Sequence, residues 1–325
     1  MRHVVIAGVV ALALSSCVSS NAPVTTTTDG NGTSTSTTAV TTTSTTAVTT
    51  TSKSAVTTTS PSASTKEETA GPYQSLVFML HDSGGSEPAA GPFLAPVAGN
   101  TRNLEETIEA LLGGLTPSEI DLGITSAVPE NTRLNSVRVD DGIATVDLTS
   151  QFSAGVGTFS MRARLAQLVY TVTGYDPAIT GVRLELDGTP VSVFSSDGIV
   201  LDDPMTRVSF EDLLPGILVE RPPFDGWSRP PVTVTGIAST LQGSFRLEIL
   251  DETKDMAVVA HEIVHTGTCV GWCEFSVTFD ASDLPPLSEY PGEMATLWIR
   301  VYELSPEDGT VTKERVQPFG YRMNP

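Results

Sequence analysis

Between residues 131 and 191 the apolar positions recur every second residue, then at helical spacing, then every second residue again. That order predicts hairpin, helix, strand. Asp141-Gly142 fits a two-residue loop with positive φ at both central positions, the turn that matches strand twist. The register it imposes sets Val139 opposite Ala144 and Val137 opposite Val146, with Leu148 on the same apolar face. Met161, Leu165, Leu168, Val169 and Val172 form a helical stripe, and Gly174 is expected to stop the helix. Val182, Leu184 and Leu186 alternate in the following strand, up to a second turn at Asp187-Gly188. Nothing in this stretch reads as catalytic.

The residues before it extend the same unit. Leu76–Leu80 is a short apolar run bounded by His81-Asp82-Ser83-Gly84-Gly85, hence a strand and a turn. Phe93–Val97 reads as a strand confined to a sheet edge by Pro96. Asn103 is placed to cap a helix, with Glu106 in capping-box position and a stripe of Leu104, Ile108, Leu111, Leu112 and Leu115 ended by Gly113-Gly114. Residues 73–200 therefore predict an α+β domain of two helices on a small mixed sheet.

Beyond residue 214 the period is two throughout. Pro222-Pro223 and Pro230-Pro231 flank an irregular lead-in with Phe224 and Trp227. Val232/Val234, Phe245/Leu247/Ile249, Phe275/Val277/Phe279 and Leu297/Ile299/Val301 each place apolar residues on one face. Regularly spaced strands without a long helix predict an all-β sandwich over 214–320.

The N-terminal quarter has neither period. In residues 1–17, Arg2 and His3 precede an apolar run from Val4 to Leu14, too short to span a bilayer. Its end, Leu14-Ser15-Ser16-Cys17, resembles the lipobox of bacterial lipoproteins, which implies acylation of Cys17 and export. Residues 18–72 are a Thr/Ser-rich linker with an eight-residue repeat, AVTTTSTT, AVTTTSKS, AVTTTSPS. With almost no apolar surface to offset chain entropy it is expected to be a disordered stalk. About 50 such residues reach roughly 40 Å as a coil and about 165 Å extended.

The formal charge of −20 lies entirely beyond residue 69, since the acids and bases before it cancel. A field of that sign repels phosphate backbones and anionic headgroups, so nucleic acid is excluded as a partner and membrane contact is left to the lipid anchor alone. If Cys17 is acylated, Cys269 and Cys273 remain as a pair suited to a disulfide in an oxidising compartment.

Three stretches carry a family resemblance: ALLGGLTPSE, SAVPENTRLNSVRVDDGIATVDLTSQF and RLAQLVYTVTGYDPAITGVRLELDGTPV. Together, over about 75–195, they resemble the sporulation and germination domain called GerMN. That resemblance implies a non-enzymatic module of envelope lipoproteins, similar in fold to ring-building modules of secretion and sporulation machines, with no catalytic residues to transfer. RPPVTVTGIASTLQGSFRLEILDE followed by WCEFSVTFD resembles the immunoglobulin-like domain associated with spore germination proteins.

One motif points elsewhere. His261-Glu262-Ile263-Val264-His265 is an HExxH, which on a helix would hold zinc between His261 and His265 with Glu262 as general base. The stretch is short, rich in Val and Ile, and ended by Thr266-Gly267-Thr268. On a strand its histidines would stand about 13 Å apart, too far for one ion. A third ligand would have to be an acid such as Glu289 or Glu293. Cys269 and Cys273 with His265 are a weaker metal alternative. No GxSxG or GxxxxGK is present, and Gly155-Val156-Gly157 lacks the strand a dinucleotide fingerprint needs. Trp227, Trp272 and Trp298 are candidates for a sugar-binding platform.

The expected protein is a lipid-anchored scaffold at the extracytoplasmic face of the cell membrane, non-enzymatic and without cofactor. Its expected partners are other envelope proteins or wall components. A zinc hydrolase and a wall-polysaccharide binder are the alternatives.

Overall fold

The structure is a computed structural model describing residues 74–82, 91–194, 198–241, 243–267 and 269–323. The expected signal peptide with Cys17, the Thr/Ser-rich stalk and the turn at Ser83-Gly84-Gly85 lie outside the described residues.

The first apolar run forms β1 (Ser75–His81), antiparallel to β2 (Phe93–Gly99). β2 is the outer strand, and Pro96 sits in it opposite Phe78. α1 (Leu104–Leu112) starts where Asn103 accepts a hydrogen bond from the Glu106 N–H at 2.8 Å. The Glu106 carboxylate reaches back one residue further than a capping box, to the Arg102 N–H at 2.9 Å. A short α2 (Pro117–Asp121), not foreseen from the sequence, is held by a full capping box between Thr116 and Glu119. β3 (Ile124–Thr125) then pairs with the far end of β1.

β4 (Leu134–Asp140) and β5 (Ile143–Leu148) form the expected hairpin, with Val137 opposite Val146 and Val139 opposite Ala144. Asp141 and Gly142 have φ of 49° and 76°, as the turn requires. Ala144, Val146 and Leu148 are buried, but Val139 is 45% exposed, because β4 is the outer strand and its turn end is left uncovered. α3 (Thr158–Tyr175) crosses from β5 to the parallel β6 (Gly181–Leu186), and the second Asp-Gly turn leads to β7 (Thr189–Pro190). A two-strand ribbon of β8 (Val193–Phe194) and β9 (Ile199–Val200) follows.

Two expectations for α3 are corrected. Gly174 does not stop the helix, which runs on to Tyr175 with Asp176 as its cap. Its role is space: a Cβ there would come within 3.2 Å of both the Arg207 guanidinium and the Phe78 ring. Nor is the buried face a single stripe. Twelve of the 18 residues of α3 are buried, Arg164, Gln167, Thr171 and Thr173 among them. The reason lies in β1. Phe78 lies opposite Pro96 in a pair that exchanges no ladder bonds, so its N–H and C=O point away from β2, and on that side β3 pairs only with Leu80 and His81. The Phe78 N–H therefore donates to Thr171 Oγ1 at 2.9 Å, and its carbonyl accepts from Gln167 Nε2 at 3.1 Å. Two helix side chains do the work of a missing strand, as buried backbone groups require.

The remaining strands are β10 (Ile217–Arg221), β11 (Gly226–Ser228), β12 (Val232–Ala238), β13 (Ser244–Asp251), β14 (Ala257–His265), β15 (Cys273–Phe279), β16 (Met294–Leu304) and β17 (Val311–Arg322). They make a sheet in the order β10-β12-β15 and another in the order β11-β17-β16-β13-β14. Val232, Val234, Phe245, Leu247, Ile249, Phe275, Phe279, Leu297, Ile299 and Val301 fill the space between them, with Val277 partly buried. This is the sandwich the period-two pattern predicts.

Glu67–Pro325 is one compact unit. The first core draws in Met205, Phe210, Leu213, Leu214, Leu218 and Phe224 from beyond residue 200. Phe224 continues the sheet of β2: its N–H donates to the Pro96 carbonyl at 2.9 Å, and its carbonyl accepts from Ala98 at 3.0 Å. Gln317 Nε2 donates to the Pro222 carbonyl at 2.6 Å, Arg207 pairs with Glu220 at 2.8 Å, and Arg315 lies 4.9 Å from the centre of the Phe93 ring.

Candidate functional site

The HExxH stretch is β14, the outer strand of the five-stranded sheet. His261 pairs with Glu248 and His265 with Ser244, so the histidines share one face and Glu262, opposite Leu247, points to the other. All three side chains are exposed. The helix that would converge them on one ion is absent at this position, and a strand separates the histidines by about 13 Å. Among the described residues no group of three or more His, Cys, Asp or Glu side chains is placed to hold a metal.

Cys269 and Cys273 are joined by a disulfide, with Cα atoms 5.9 Å apart, at the start of β15. The bridge closes the loop between β14 and β15, and Trp272 inside it packs against the first core.

The three tryptophans do not form one platform. On β17 Phe319 and Tyr321 point into the sandwich, so Gly320 between them faces out, and Trp227 pairs with Gly320. On β16 Leu297 and Ile299 point inward, leaving Trp298 on the same outer face. Trp272 lies apart. Trp298 donates from Nε1 to Glu252 at 3.4 Å, while Trp227 carries the Arg322 guanidinium 4.9 Å from its ring centre.

Trp227 stands between two hollows. The first, about 280 Å³, lies where the start of β1 meets the proline-rich lead-in, and is lined by Gln74, Arg221, Arg229, Ser228, Thr233 and Thr235 beside three prolines. The second, about 220 Å³, includes Asp225, Met294, Thr296 and Arg322. The tight lead-in is built from both sides: Gln74 accepts from the Trp227 N–H at 2.8 Å, and its carbonyl accepts from Arg221 at 2.7 Å. The Arg221-Pro222 and Pro230-Pro231 peptide bonds in this segment are cis. Arg229 is exposed and makes no ion pair among the described residues. The Nε of Arg322 is buried without a hydrogen-bond partner. Sequence reasoning singled out Trp227 but missed these arginines, whose convergence depends on β11 running parallel to β17.

One family model and several solved structures are similar to parts of this chain. Residues 76–192 match the family model described as Germane, sporulation and spore germination. The matched segment makes up 117 of the chain's 325 residues. The first GerMN domain of the sporulation protein GerM from Bacillus subtilis is 17% identical, covering 42% of this chain and 98% of that one with a TM-score of 0.33. The tandem GerMN domains of the same protein are 14% identical over 74% of this chain and 71% of that one, with a TM-score of 0.35. A Clostridium perfringens protein described as a candidate lipoprotein is 18% identical over 43% of this chain and 90% of that one, with a TM-score of 0.31. No curated protein matches. Among the described residues no helix is long and apolar enough to cross a membrane.

Proposed function

We propose that the chain is a lipid-anchored, non-enzymatic interaction protein at the extracytoplasmic face of the cell membrane, holding envelope components together through its surfaces. The match of residues 76–192 to the sporulation and spore germination family carries this reading. Cys17 after the short apolar run supports the anchor. The polar groups buried in the first half support a structural rather than a chemical role. Gln167 and Thr171 complete a strand, and Arg164 donates to the Phe152 and Ala154 carbonyls at 2.6 and 2.8 Å.

The test has two arms. Cells expressing the full chain are labelled with an alkyne fatty acid and fractionated; label and membrane retention should both vanish in Cys17→Ser. Photo-crosslinkers placed at exposed Val156 and Val200 should then trap the same envelope neighbour in repeated experiments. An unlabelled chain overturns the anchor, and adducts that change from one experiment to the next overturn the scaffold.

A further inference from the structure

The chain has 38 acidic side chains against 18 basic ones, and eight of its fifteen described lysines and arginines form ion pairs with carboxylates. Against that background the first hollow beside Trp227 is lined by two arginines and by no aspartate or glutamate. Arg229 is exposed there without an ion partner, and a guanidinium's planar fork matches a carboxylate with two parallel hydrogen bonds. Next to it stands a half-buried indole, whose main-chain N–H is held by Gln74 and whose ring carries the Arg322 guanidinium 4.9 Å from its centre. The remaining lining offers an amide and hydroxyls, from Gln74, Ser228, Thr233 and Thr235.

An aromatic ring for an apolar face, short polar side chains for hydroxyls and an arginine for one negative charge are the recognition elements of a sugar acid. The volume, about 280 Å³, is at the small end for ligand sites and suits one pyranose ring rather than a nucleotide or flavin. The hollow also opens along a hydroxyl-bearing sheet face. Thr233 touches Thr278 at 3.0 Å, and the neighbouring pair Thr235 and Ser276 lies on the same side. A polymer could follow that face from the hollow.

We infer that the cleft formed by Trp227, Arg229 and Gln74 is a binding site for one carboxylated sugar unit of a glycan, the charge being met by the arginines of the cleft and not by the chain's net field. The inference rests on the extracytoplasmic placement proposed above only for where such a glycan is met. Binding itself is independent of the anchor.

The experiment is calorimetric titration of the full chain with trigalacturonic acid and, in parallel, with its methyl ester, the same sugar without charge. Saturable binding is expected for the acid, weakening as salt rises because the charges are exposed, and falling about tenfold or more for the ester. Arg229→Gln, a change at an exposed side chain, should lower affinity for the acid by a similar factor and leave the melting temperature unchanged. Trp227→Phe should weaken acid and ester alike. No saturable binding of the acid overturns the inference, as does equal binding of acid and ester or an Arg229→Gln affinity equal to the parent's. A failed titration with an acylated Cys17 removes the site and leaves the proposed function standing; a bound sugar with an unlabelled Cys17 does the reverse.

Discussion

The main-chain N–H of Phe224 donates to the carbonyl of Pro96 at 2.9 Å, so a residue from the lead-in to the sandwich becomes part of the first half's sheet. Pro96 makes that possible. It lies opposite Phe78 in a pair that exchanges no ladder bonds, which turns its carbonyl outward from the edge, and it has no N–H there to satisfy. Phe224, 5% exposed, is then buried in the first core with the His81 ring 5.0 Å away, tilted by 50° to its own.

A core aromatic truncated to alanine costs about 3–5 kcal/mol. Phe224→Ala is therefore expected to lower the stability of the whole 67–325 unit by that amount. In scanning calorimetry the parent should show one transition, shifted down in the variant. Two transitions, only one of them moved, would mean that the halves unfold separately.

The same junction is expected to weaken in acid. The His81 pKa is lowered, first because burial penalises the imidazolium and then because Arg315 repels it, with Asp82 opposing. The unfolded chain takes up this proton near pH 6.5 and the folded chain resists it. The contribution is thus full above about pH 6.5 and declines as pH falls through the unfolded and then the folded value. His81→Gln should flatten the change in melting temperature between pH 7.5 and pH 5.0; an unchanged slope would remove His81 as its source.

Gly236 tests the sandwich at one atom. A Cβ added there would overlap the Leu218 carbonyl oxygen across the β10–β12 pair, and that backbone carbonyl, with the Phe275 ring 3.0 Å from the same point, leaves little room to give way. Gly236→Ala should cost about 1–3 kcal/mol by overpacking, read as a lower denaturant midpoint with an unchanged m-value. A neutral result would show that the two strands stand further apart than described.

Asp251 is fully buried and accepts from Tyr290 at 2.7 Å and from Thr253 N and Oγ1 at 2.9 and 2.7 Å. Burial raises its pKa, but the hydrogen bonds from Thr253, Tyr290 and Lys254 outweigh it and leave the group below the ordinary value. A depressed carboxylate stabilises above its unfolded pKa, and that support is lost as pH falls through the folded value. Tyr290→Phe should cost about 1–3 kcal/mol at pH 7, with the gap to the parent narrowing as pH drops below about 4. A gap that does not depend on pH would point to packing of the ring instead of the bond.

Much of the fold was legible because its signals are local. Asp141-Gly142 fixes a register by turn geometry, and four sets of alternating apolar residues place β12, β13, β15 and β16, four of the eight sandwich strands, without knowledge of their neighbours. Gly174 was misread because spacing shows where a helix has no side chain but not that Arg207, 33 positions later in the chain, needs the room. Gln167 and Thr171 were invisible for the same reason: their partner is the backbone of Phe78, left open by the short β3. The Trp227 cleft was half-legible. An indole announces itself in a sequence, but the approach of Arg229, Arg322 and Gln74 arises only when three separated segments meet.

The HExxH stretch yields the sharpest contrast between motif and structure. Zinc chemistry needs both histidines on one helical face about one turn apart, with the glutamate beside them. β14 instead sets His261 and His265 on one face of an outer strand and Glu262 on the other, all in solvent. Substitutions at exposed positions change stability within about 0.5 kcal/mol, and the one bond at Glu262, accepted by Oε1 from the Ile263 N–H at 3.1 Å, can be kept by the glutamine carbonyl. His261→Ala and Glu262→Gln are accordingly expected to match the parent in melting temperature, and chelator treatment of the full chain should shift none of the three. Elemental analysis after chelator-free purification decides the matter independently of any substrate. Metal well below one equivalent agrees with the strand. About one zinc per chain, lost in His261→Ala, would require β14 to refold as a helix around the ion and would make peptide hydrolysis the next assay.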